Sequence, residues 1–494
     1  MSSSPDGPAR SGASGLQIAG FGVCLVAAAV SVWTAAHSSF FYADDYANFW
    51  LARTEGTTLA FLKTPYFQHF APGHRILDEL VLPAGRPSWT VAEGVLMAWY
   101  VLAVAAFHWL ARQLADKAWL ALVTTVMVAA SPVWVRLLQW FASGAHVAPA
   151  IGCSMVFLAA GWAWLEERRP YAFVLAIGAL ATGLLFYERP VLAVGVLALT
   201  RYGVRAPSLR PAAVLRRVAG DWPLWVAVVA IGVAYYAVLR SGGYVPQSPN
   251  ASAVAWRQYL RLSWSRGTTP LLVLQNVPQA ATSLNNAVVV VAQVALAALV
   301  GLSLVLYRWA WRAWVAYGIQ WWAYVLVIGV GRLGQFGPSI GYDLRYMAEF
   351  AVLLPLTLVL AFSGPPRQGR VATLLRGRRG ALPRSARLAA PVIVGALVVA
   401  SGAQSGRRVG HAWPGAAAGR YMGTFERSLA MLRQRGIEPT LVDGQSPGAL
   451  DPGHLPPTST IGTLMRAFDP SVSVGAPNRP RYILRDDGSL VPAG

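Results

Sequence analysis

The chain has 494 residues, of which 55% are hydrophobic and only 13% are charged. Apolar stretches recur along it at the length of about 20 residues that a helix needs to cross a bilayer, which excludes an ordinary soluble globular protein. The net charge of +20 comes mainly from arginines in short loops between these stretches, a pattern typical of membrane orientation rather than of nucleic-acid binding.

About eleven apolar segments predict an all-α polytopic membrane protein. In chain order they are 15–36, 91–111, 118–138, 146–165, 171–187, 191–200, 222–239, 286–306, 314–331, 347–362 and 389–403. The first is too long for the core of a signal peptide, so we interpret it as a retained helix that follows a cytoplasmic tail, residues 1–14. Cys24 and Cys153 both lie in apolar segments and predict neither a disulfide framework nor a cysteine metal site.

The orientation follows from the arginine-rich loops, which stay in the cytoplasm. Loops 364–387 and 201–221 are both of this kind, and the short charged turn Glu166-Glu167-Arg168-Arg169 is also interpreted as cytoplasmic. The turn and loop 201–221 lie on the same side only if 171–200 crosses the membrane twice. A break at Glu188-Arg189-Pro190 supplies the turn, because proline removes a backbone donor and charges are costly inside a bilayer. The predicted topology in a bacterial plasma membrane has a cytoplasmic N-terminus, an extracytoplasmic C-terminus, and two outer loops before the tail, 38–90 and 240–285.

The tail, residues 404–494, exchanges the apolar runs for proline, glycine and charge, which predicts a small extracytoplasmic α/β domain. Apolar residues at helical spacing predict a helix that ends near Gly436. They are Tyr421, Phe425, Leu429 and Leu432. Two short apolar runs on either side of Asp487-Gly488 predict a β-hairpin.

The first outer loop opens with an acidic pair, Asp44 and Asp45, among aromatic residues. Adjacent carboxylates repel each other, so one of them is harder to ionise unless a cation compensates, and such a pair suits proton abstraction. An equally weighted alternative is that both acids cap the next helix.

The same loop continues with His69, His74 and Arg75, which can grip a phosphate. The alternative is that these side chains only anchor the loop among lipid headgroups. Arg257 and Arg261 share one face of a predicted helix in the second outer loop. That helix would lie on the membrane and face either a lipid-linked phosphate or ordinary anionic headgroups.

Two further charged motifs adjoin membrane segments. Glu188 and Arg189 are candidate substrate-binding residues because charge near a span is expensive, although they could merely neutralise each other. Asp343, Arg345 and Tyr346 directly precede a late span, where anchoring at the interface is the alternative role.

This arrangement resembles the GT-C superfamily of integral membrane glycosyltransferases and is similar to uncharacterised bacterial members related to protein O-mannosyltransferases and aminoarabinose transferases. The resemblance covers residues 15–403. It rests on a first helix followed by Asp44-Asp45, about eleven spans, the motif Tyr187-Glu188-Arg189, and Arg345-Tyr346 before a late span.

The resemblance implies that a sugar passes from a polyprenyl phosphate to a hydroxyl of a glycan, lipid or protein acceptor in the cell envelope, with inversion. Asp44 or Asp45 would be the general base, with Asp44 favoured. The charge of the leaving phosphate would be stabilised by basic side chains. The candidates are Arg345, His69, His74 and Arg75. Some relatives bind a divalent metal near the acidic motif and others do not, so Mg²⁺ or Mn²⁺ on the acidic pair stays open.

Two rival functions are a transporter or flippase of a lipid-linked saccharide and a non-catalytic envelope scaffold. Transporters usually place ionisable residues near the middle of the membrane, whereas the charged motifs here gather at one face, which favours an enzyme. The sequence has no phosphate-cradling glycine loop and no nucleophile-elbow serine motif, which argues against a nucleotide-sugar enzyme and a lipase.

Overall fold

The computed structural model describes residues 15–56, 58–64, 69–241, 250–277, 283–374, 383–476 and 478–493. The predicted cytoplasmic tail and parts of the predicted loops 240–285 and 364–387 lie outside these described residues. The apolar segments are helical, and the strands lie near the C-terminus.

The helices are α1 (Gly15–His37), α2 (Asp44–Glu55), α3 (Leu59–Lys63), α4 (Pro72–Leu80), α5 (Trp89–Leu114), α6 (Ala118–Ala129), α7 (Pro132–Gln139), α8 (Phe141–Glu167), α9 (Pro170–Phe186), α10 (Pro190–Ala198), α11 (Pro211–Gly220), α12 (Trp222–Ser241), α13 (Ala253–Leu262), α14 (Ser283–Leu306), α15 (Ala310–Phe336), α16 (Phe350–Ala361), α17 (Arg384–His411), α18 (Gly415–Gln434) and α19 (Ile461–Phe468). Short 3₁₀ or π turns occupy Pro83–Gly85, Leu199–Val204, Ser263–Thr268, Thr269–Val273 and Pro338–Gly341.

Within the described residues, eight helical stretches are long and apolar enough to cross a membrane, and three shorter apolar helices accompany them. The eight are α1, α5, α6 with α7, α8, α12, α14, α15 and α17, and the shorter three are α9, α10 with its π turn, and α16. The predicted all-α polytopic architecture is therefore confirmed, with eight candidate spans and three shorter apolar helices in place of about eleven predicted spans. One predicted span, 118–138, is divided into α6 and α7 by a break before Pro132.

Proline and serine set several of the helix boundaries. Pro132, Pro170 and Pro190 each stand at the start of a helix, where the missing N–H costs nothing. Ser88 and Ser131 cap α5 and α7 by accepting backbone N–H groups with their hydroxyls. The break between α9 and α10 falls at residues 187–189, as the sequence predicts.

The helices differ in how much lipid-facing surface they keep. Helix α8 is buried along almost its whole length between α5 and α9, so it forms the centre of the bundle. Helices α12 and α14 leave large apolar side chains such as Val229 and Val290 exposed, as expected of helices at the lipid boundary. We refer to the end of the bundle at which α8 begins and α9 ends as the Asp44 end.

The C-terminal region combines helices α18 and α19 with a four-stranded sheet. The strands are β1 (Thr440–Leu441), β2 (Ser473–Val474), β3 (Arg481–Leu484) and β4 (Leu490–Pro492), arranged in the order β2-β1-β3-β4. The predicted hairpin is the antiparallel pair β3–β4, and Gly488 in its turn adopts a φ of 87° that favours glycine. The predicted helix is α18, with Gly436 at a φ of 72° just beyond it. Helix α17 continues past residue 404 to His411.

The C-terminal region packs against the first outer loop. Arg53 of α2 donates to the carbonyl oxygens of Ala467 and Phe468 at 2.7 and 2.9 Å, and Arg86 pairs with Asp469. These bonds satisfy carbonyl groups at the end of α19 that have no partner within the helix. The C-terminal region is thereby held over the acidic pair.

Candidate active site

A cavity of about 300 Å³ opens at the Asp44 end of the bundle. The start of α2, the junction of α7 and α8, the break between α9 and α10, and the end of α15 form its walls. Its lining residues are Ala43, Asp44, His69, Trp140, Ser143, His146, Val147, Tyr187, Arg189, Arg332, Phe336, Arg345, Tyr346, Pro452, Gly453 and Leu455. The last three belong to the C-terminal region, which therefore contributes part of the wall. We call this space the main cavity.

Asp44 presents its carboxylate to the main cavity. The indole Nε1 of Trp140 donates to its Oδ1 at 2.8 Å, which orients the carboxylate from the junction of α7 and α8. The preceding residue, Ala43, has a φ of 54°, a conformation that is strained for a residue with a side chain. Its N–H donates to the carbonyl of Leu450 at 2.7 Å, so the C-terminal region helps to hold this strained backbone.

Asp45 is fully buried behind the cavity wall and accepts two backbone hydrogen bonds. Its Oδ2 accepts from the N–H of Tyr42 at 2.7 Å, and its Oδ1 accepts from the N–H of Ala142 at 2.6 Å in the first turn of α8. Burial raises the pKa of Asp45, the charge of Asp44 raises that pKa further, and the two N–H groups oppose the shift. The expectation that one acid of the pair is harder to ionise agrees with this environment.

The N-cap position of α2 is held by Ala43, which makes no side-chain capping hydrogen bond. Asp45 instead satisfies an unpaired N–H at the start of α8, where the helix dipole favours an anion. Asp45 therefore does act as a helix-capping acid, but the helix whose N-terminus it caps is α8.

His69 links Arg332 to Glu188 in a charged chain on one wall. Its Nδ1 lies 2.9 Å from a carboxylate oxygen of Glu188, and its Nε2 lies against the guanidinium of Arg332. Arginine can only donate, so we assign the ring proton to Nδ1, from which it is donated to Glu188. Burial alone would raise the pKa of Glu188, but His69 and Arg189 together lower it below its ordinary value.

Arg189 is tied to a carboxylate from another helix rather than to its sequence neighbour. Its Nη1 lies 2.9 and 3.0 Å from the two carboxylate oxygens of Glu349, and only 6% of the residue is exposed. The guanidinium also lies 4.6 Å from the ring centroid of Tyr187. The mutual neutralisation of Glu188 and Arg189 that the sequence left open is therefore not the observed pairing, since Glu188 pairs with His69.

Arg345 occupies the wall between aromatic rings. Its guanidinium lies 4.6 Å from the ring centroid of Trp140 and 4.7 Å from that of Tyr346. Its Nε lies 3.0 Å from Oδ2 of Asp343, which is outside the main cavity. Three arginines thus reach this cavity, and each is positioned by rings or by another charged side chain.

His74 and Arg75 lie within the protein, outside the lining of the main cavity. Both side chains are essentially inaccessible, so they do not anchor the loop among headgroups. His74 lies 3.2 Å from Asp78, and Arg75 donates to Asp78 at 3.3 Å and to Asn48 at 3.0 Å. This network joins α2 to α4 beneath the acidic pair.

Arg257 and Arg261 lie on the exposed face of α13, which also leaves them outside the lining of the main cavity. The opposite face carries Tyr259, whose hydroxyl donates to the carbonyl of Val325 at 2.9 Å. Helix α13 therefore rests on α15 and points its arginines outward, an arrangement that agrees with an interfacial helix.

The acidic pair is the position at which the sequence left a divalent metal open. Both carboxylate oxygens of Asp45 accept backbone N–H groups. Among the described residues, no group of three or more His, Cys, Asp or Glu side chains is placed to hold a metal ion. Mg²⁺ or Mn²⁺ on the acidic pair therefore stays a prediction, with Asp44 as the acid that lines the main cavity.

Sequence reasoning missed several cavity residues, and the reasons differ. Arg332 directly follows the predicted span 314–331, and a charge at the end of a span is a signal that could have identified it. His146 opens the predicted span 146–165 and was counted with the apolar run. Trp140 and Pro452 carry no sequence signal, because only the folded chain brings them to Asp44.

No family model and no curated protein matches this sequence. Among solved structures, the chain is similar to ArnT from Cupriavidus metallidurans bound to undecaprenyl phosphate, with a TM-score of 0.51 and 15% sequence identity. The match covers 94% of this chain and 93% of that one, so it extends beyond residues 15–403. This likeness shows that the two chains share a fold, as the resemblance noted in the sequence implies.

Proposed function

We propose that this protein is a membrane glycosyltransferase that moves a sugar from a polyprenyl phosphate to a hydroxyl of a cell-envelope acceptor. The observation that carries the proposal is the main cavity, in which the carboxylate of Asp44 shares one space with Arg332 and Arg345. A general base and cationic groups are the two requirements of transfer from a phosphate leaving group. The fold shared with ArnT, which was solved bound to undecaprenyl phosphate, supports this donor class.

In the proposed reaction, Asp44 accepts the proton of the acceptor hydroxyl as the oxygen attacks the anomeric carbon. The new carbon–oxygen bond forms on the face opposite the donor phosphate, and the bond to that phosphate breaks with its electron pair. The products are an inverted glycoside and a polyprenyl phosphate. Trp140 orients the Asp44 carboxylate in the main cavity through its indole N–H.

Arg332 and Arg345 would stabilise the negative charge that grows on the departing phosphate. His69 positions the guanidinium of Arg332, and Trp140 and Tyr346 position that of Arg345. Arg189 is already paired with Glu349, so we assign it to shaping the wall. His74 and Arg75 are buried below the acidic pair, and in this proposal they support the loop rather than touch the phosphate.

The charge distribution supports an extracytoplasmic position for the main cavity. Helix α8 runs about 40 Å from the Asp44 end to Glu167, enough to cross a bilayer. At that far end Arg168 and Arg201 pair with Asp221, and two exposed arginines follow, Arg210 just before α11 and Arg216 on it. Arginine-rich ends face the cytoplasm, so the Asp44 end would face outward.

The proposal is tested by replacing Asp44 with asparagine in protein reconstituted with a polyprenyl-linked, labelled sugar and cell-envelope acceptor. Because Asp44 is the assigned base, we expect Asp44→Asn to lower transfer of label by about 100-fold or more with the fold retained. Asp486→Asn, an exposed acid in the C-terminal hairpin, is the matched control and should keep full activity. Full transfer by Asp44→Asn would exclude Asp44 as the base, and movement of labelled lipid across the membrane without transfer would favour a flippase.

A further inference from the structure

A second cavity of about 420 Å³ adjoins the main cavity, and more than half of its lining residues are polar. The polar ones are Arg136, Asn276, Ser339, Tyr342, Asp343 and Arg345. Phe336 and Arg345 line both spaces and form the partition between them. We call this second space the side cavity.

Arg136 of α7 is the distinctive residue of the side cavity. Its guanidinium lies 4.1 Å from the ring centroid of Trp413 and 5.5 Å from that of Trp140. In the part of the chain that the structure describes, no ion pair or hydrogen bond engages it. Stacking on rings leaves the five N–H donors at the edge of a guanidinium available, and a charge at the end of a membrane span is costly without partners.

The charges around Arg136 favour an anion. Asp343 is the one acidic residue among the described lining residues, and its Oδ2 already lies 3.0 Å from Nε of Arg345. Two guanidinium groups therefore face one carboxylate, which leaves the side cavity with a net positive charge. Planar guanidinium groups match the geometry of phosphate and carboxylate oxygens.

Trp140 connects this cationic space to the acid in the main cavity. One edge of its indole donates to Asp44 at 2.8 Å, and its ring lies near the guanidinium groups of both Arg136 and Arg345. An oxyanion held by Arg136 would thus lie about one aromatic ring away from the carboxylate that receives a proton. This spacing suits two groups of a single small substrate.

We propose that the side cavity binds an oxyanion of the acceptor, phosphate or carboxylate, and so presents the acceptor hydroxyl to Asp44. The assignment of this oxyanion to the acceptor rests on the proposed glycosyl transfer. Binding of an oxyanion beside Arg136 does not depend on that transfer, because it follows from the charges of the side cavity alone. The two parts can therefore be tested separately.

The first test measures binding of inorganic phosphate to the full-length protein in phosphatidylcholine nanodiscs. We expect Arg136→Gln to weaken binding about tenfold or more, because it removes a charged donor from the anion. The same loss is expected in an Arg332→Gln background, where the main cavity contributes less to phosphate binding. Arg427→Gln, at an exposed position of α18, is the matched control and should bind phosphate as the wild type does.

A second variant keeps the test decisive if Arg136→Gln fails to fold. Ser339→Glu places a carboxylate in the side cavity without removing a cation, and it should also weaken phosphate binding about tenfold.

Nanodiscs that contain phosphatidylglycerol distinguish the source of the anion. Loss of phosphate binding in them would assign the site to a lipid headgroup and overturn the acceptor proposal. Unchanged phosphate binding by a folded Arg136→Gln or Ser339→Glu variant would overturn the site itself.

The second test compares transfer of labelled sugar to a neutral alkyl alcohol and to the same alcohol carrying a phosphate. We expect Arg136→Gln to lower kcat/KM for the phosphorylated acceptor about tenfold and to leave that for the neutral acceptor unchanged. Equal losses with both acceptors would overturn the acceptor assignment. Absence of any transfer by the wild-type protein would instead refute the proposed function, and the phosphate-binding result would stand.

Discussion

Asp44 and Asp45 are neighbours in sequence but have different environments. Successive residues of a helix point about 100° apart, so one carboxylate reaches the main cavity and the other turns into the protein. Asp44 is oriented by a side-chain donor from α7–α8, whereas Asp45 accepts two backbone N–H groups. The acidic pair therefore combines one residue available for chemistry with one that fixes the loop against the bundle.

Replacement of Asp45 by asparagine tests this division. The asparagine amide has one accepting oxygen, so either Tyr42 or Ala142 would keep an N–H without an acceptor. We expect Asp45→Asn to lower the free energy of unfolding by about 1–3 kcal/mol, the cost of one buried unsatisfied group. Thermal unfolding in detergent should show this loss for Asp45→Asn and little change for Asp44→Asn. Equal stability of the two variants would contradict a structural role for Asp45.

The contact of His69 with Glu188 gives the wall of the cavity a pH dependence. Because the pKa of Glu188 is lower in the folded protein, its contribution to stability is fully present above the unfolded pKa of about 4.3 and is lost as the pH falls through the folded value. We expect the difference in unfolding temperature between wild type and Glu188→Gln to be constant from about pH 5 to pH 7 and to shrink below about pH 4. A difference that persists unchanged to about pH 3 would contradict the pairing.

The sequence identified part of the cavity because its motifs combine charge with a membrane boundary. Asp44, His69, Arg189, Arg345 and Tyr346 all line the main cavity. Other nominated residues lie elsewhere, since a motif does not tell which way each side chain turns. His74 and Arg75 belong to an amphipathic helix whose inner face is polar, an arrangement that apolar periodicity cannot detect.

At the scale of elements, breaks between helices position the cavity. Two such breaks lie at the Asp44 end, one at residues 187–189 and one at Trp140. Side chains from both breaks line the main cavity. The first was predicted from its charged pair and proline. The second falls between the predicted spans 118–138 and 146–165, so the sequence located it as well. The break that the sequence did not predict is the one between α6 and α7, because the apolar count ran through Ser131-Pro132, a local signal for a new helix, and treated 118–138 as one span.

The sequence also underestimates how far the spanning helices extend beyond their apolar part. The predicted span 389–403 is the centre of α17, which extends from Arg384 to His411 because polar residues can continue a helix beyond the hydrocarbon layer. Helix α15 likewise continues from 331 to Phe336 and so brings Arg332 into the cavity. Hydropathy locates the apolar part of a helix well, whereas functional side chains here lie on its polar extension.

At the scale of the whole molecule, the C-terminal region and the membrane helices share one hydrophobic core. Tyr421, Leu450 and Leu464 belong to the same buried cluster as Tyr46 of the first loop and Phe141 of α8. A change of composition at residue 404 predicted this region in the sequence, but its packing against the loop depends on contacts between distant residues. Its segment at 452–455 completes the wall beside Asp44.

The orientation of the whole molecule yields a final prediction. Arg216 on α11 and Arg435 beyond α18 are both exposed, and they lie on the predicted cytoplasmic and outer sides respectively. In a variant with Cys24 and Cys153 replaced by alanine, a single cysteine at either position can be probed with a membrane-impermeant maleimide on spheroplasts. We expect Arg435→Cys to be labelled at once and Arg216→Cys only after the membrane is permeabilised, because arginine-rich ends remain in the cytoplasm. The reverse pattern would place Asp44 on the cytoplasmic side and contradict transfer at the outer face.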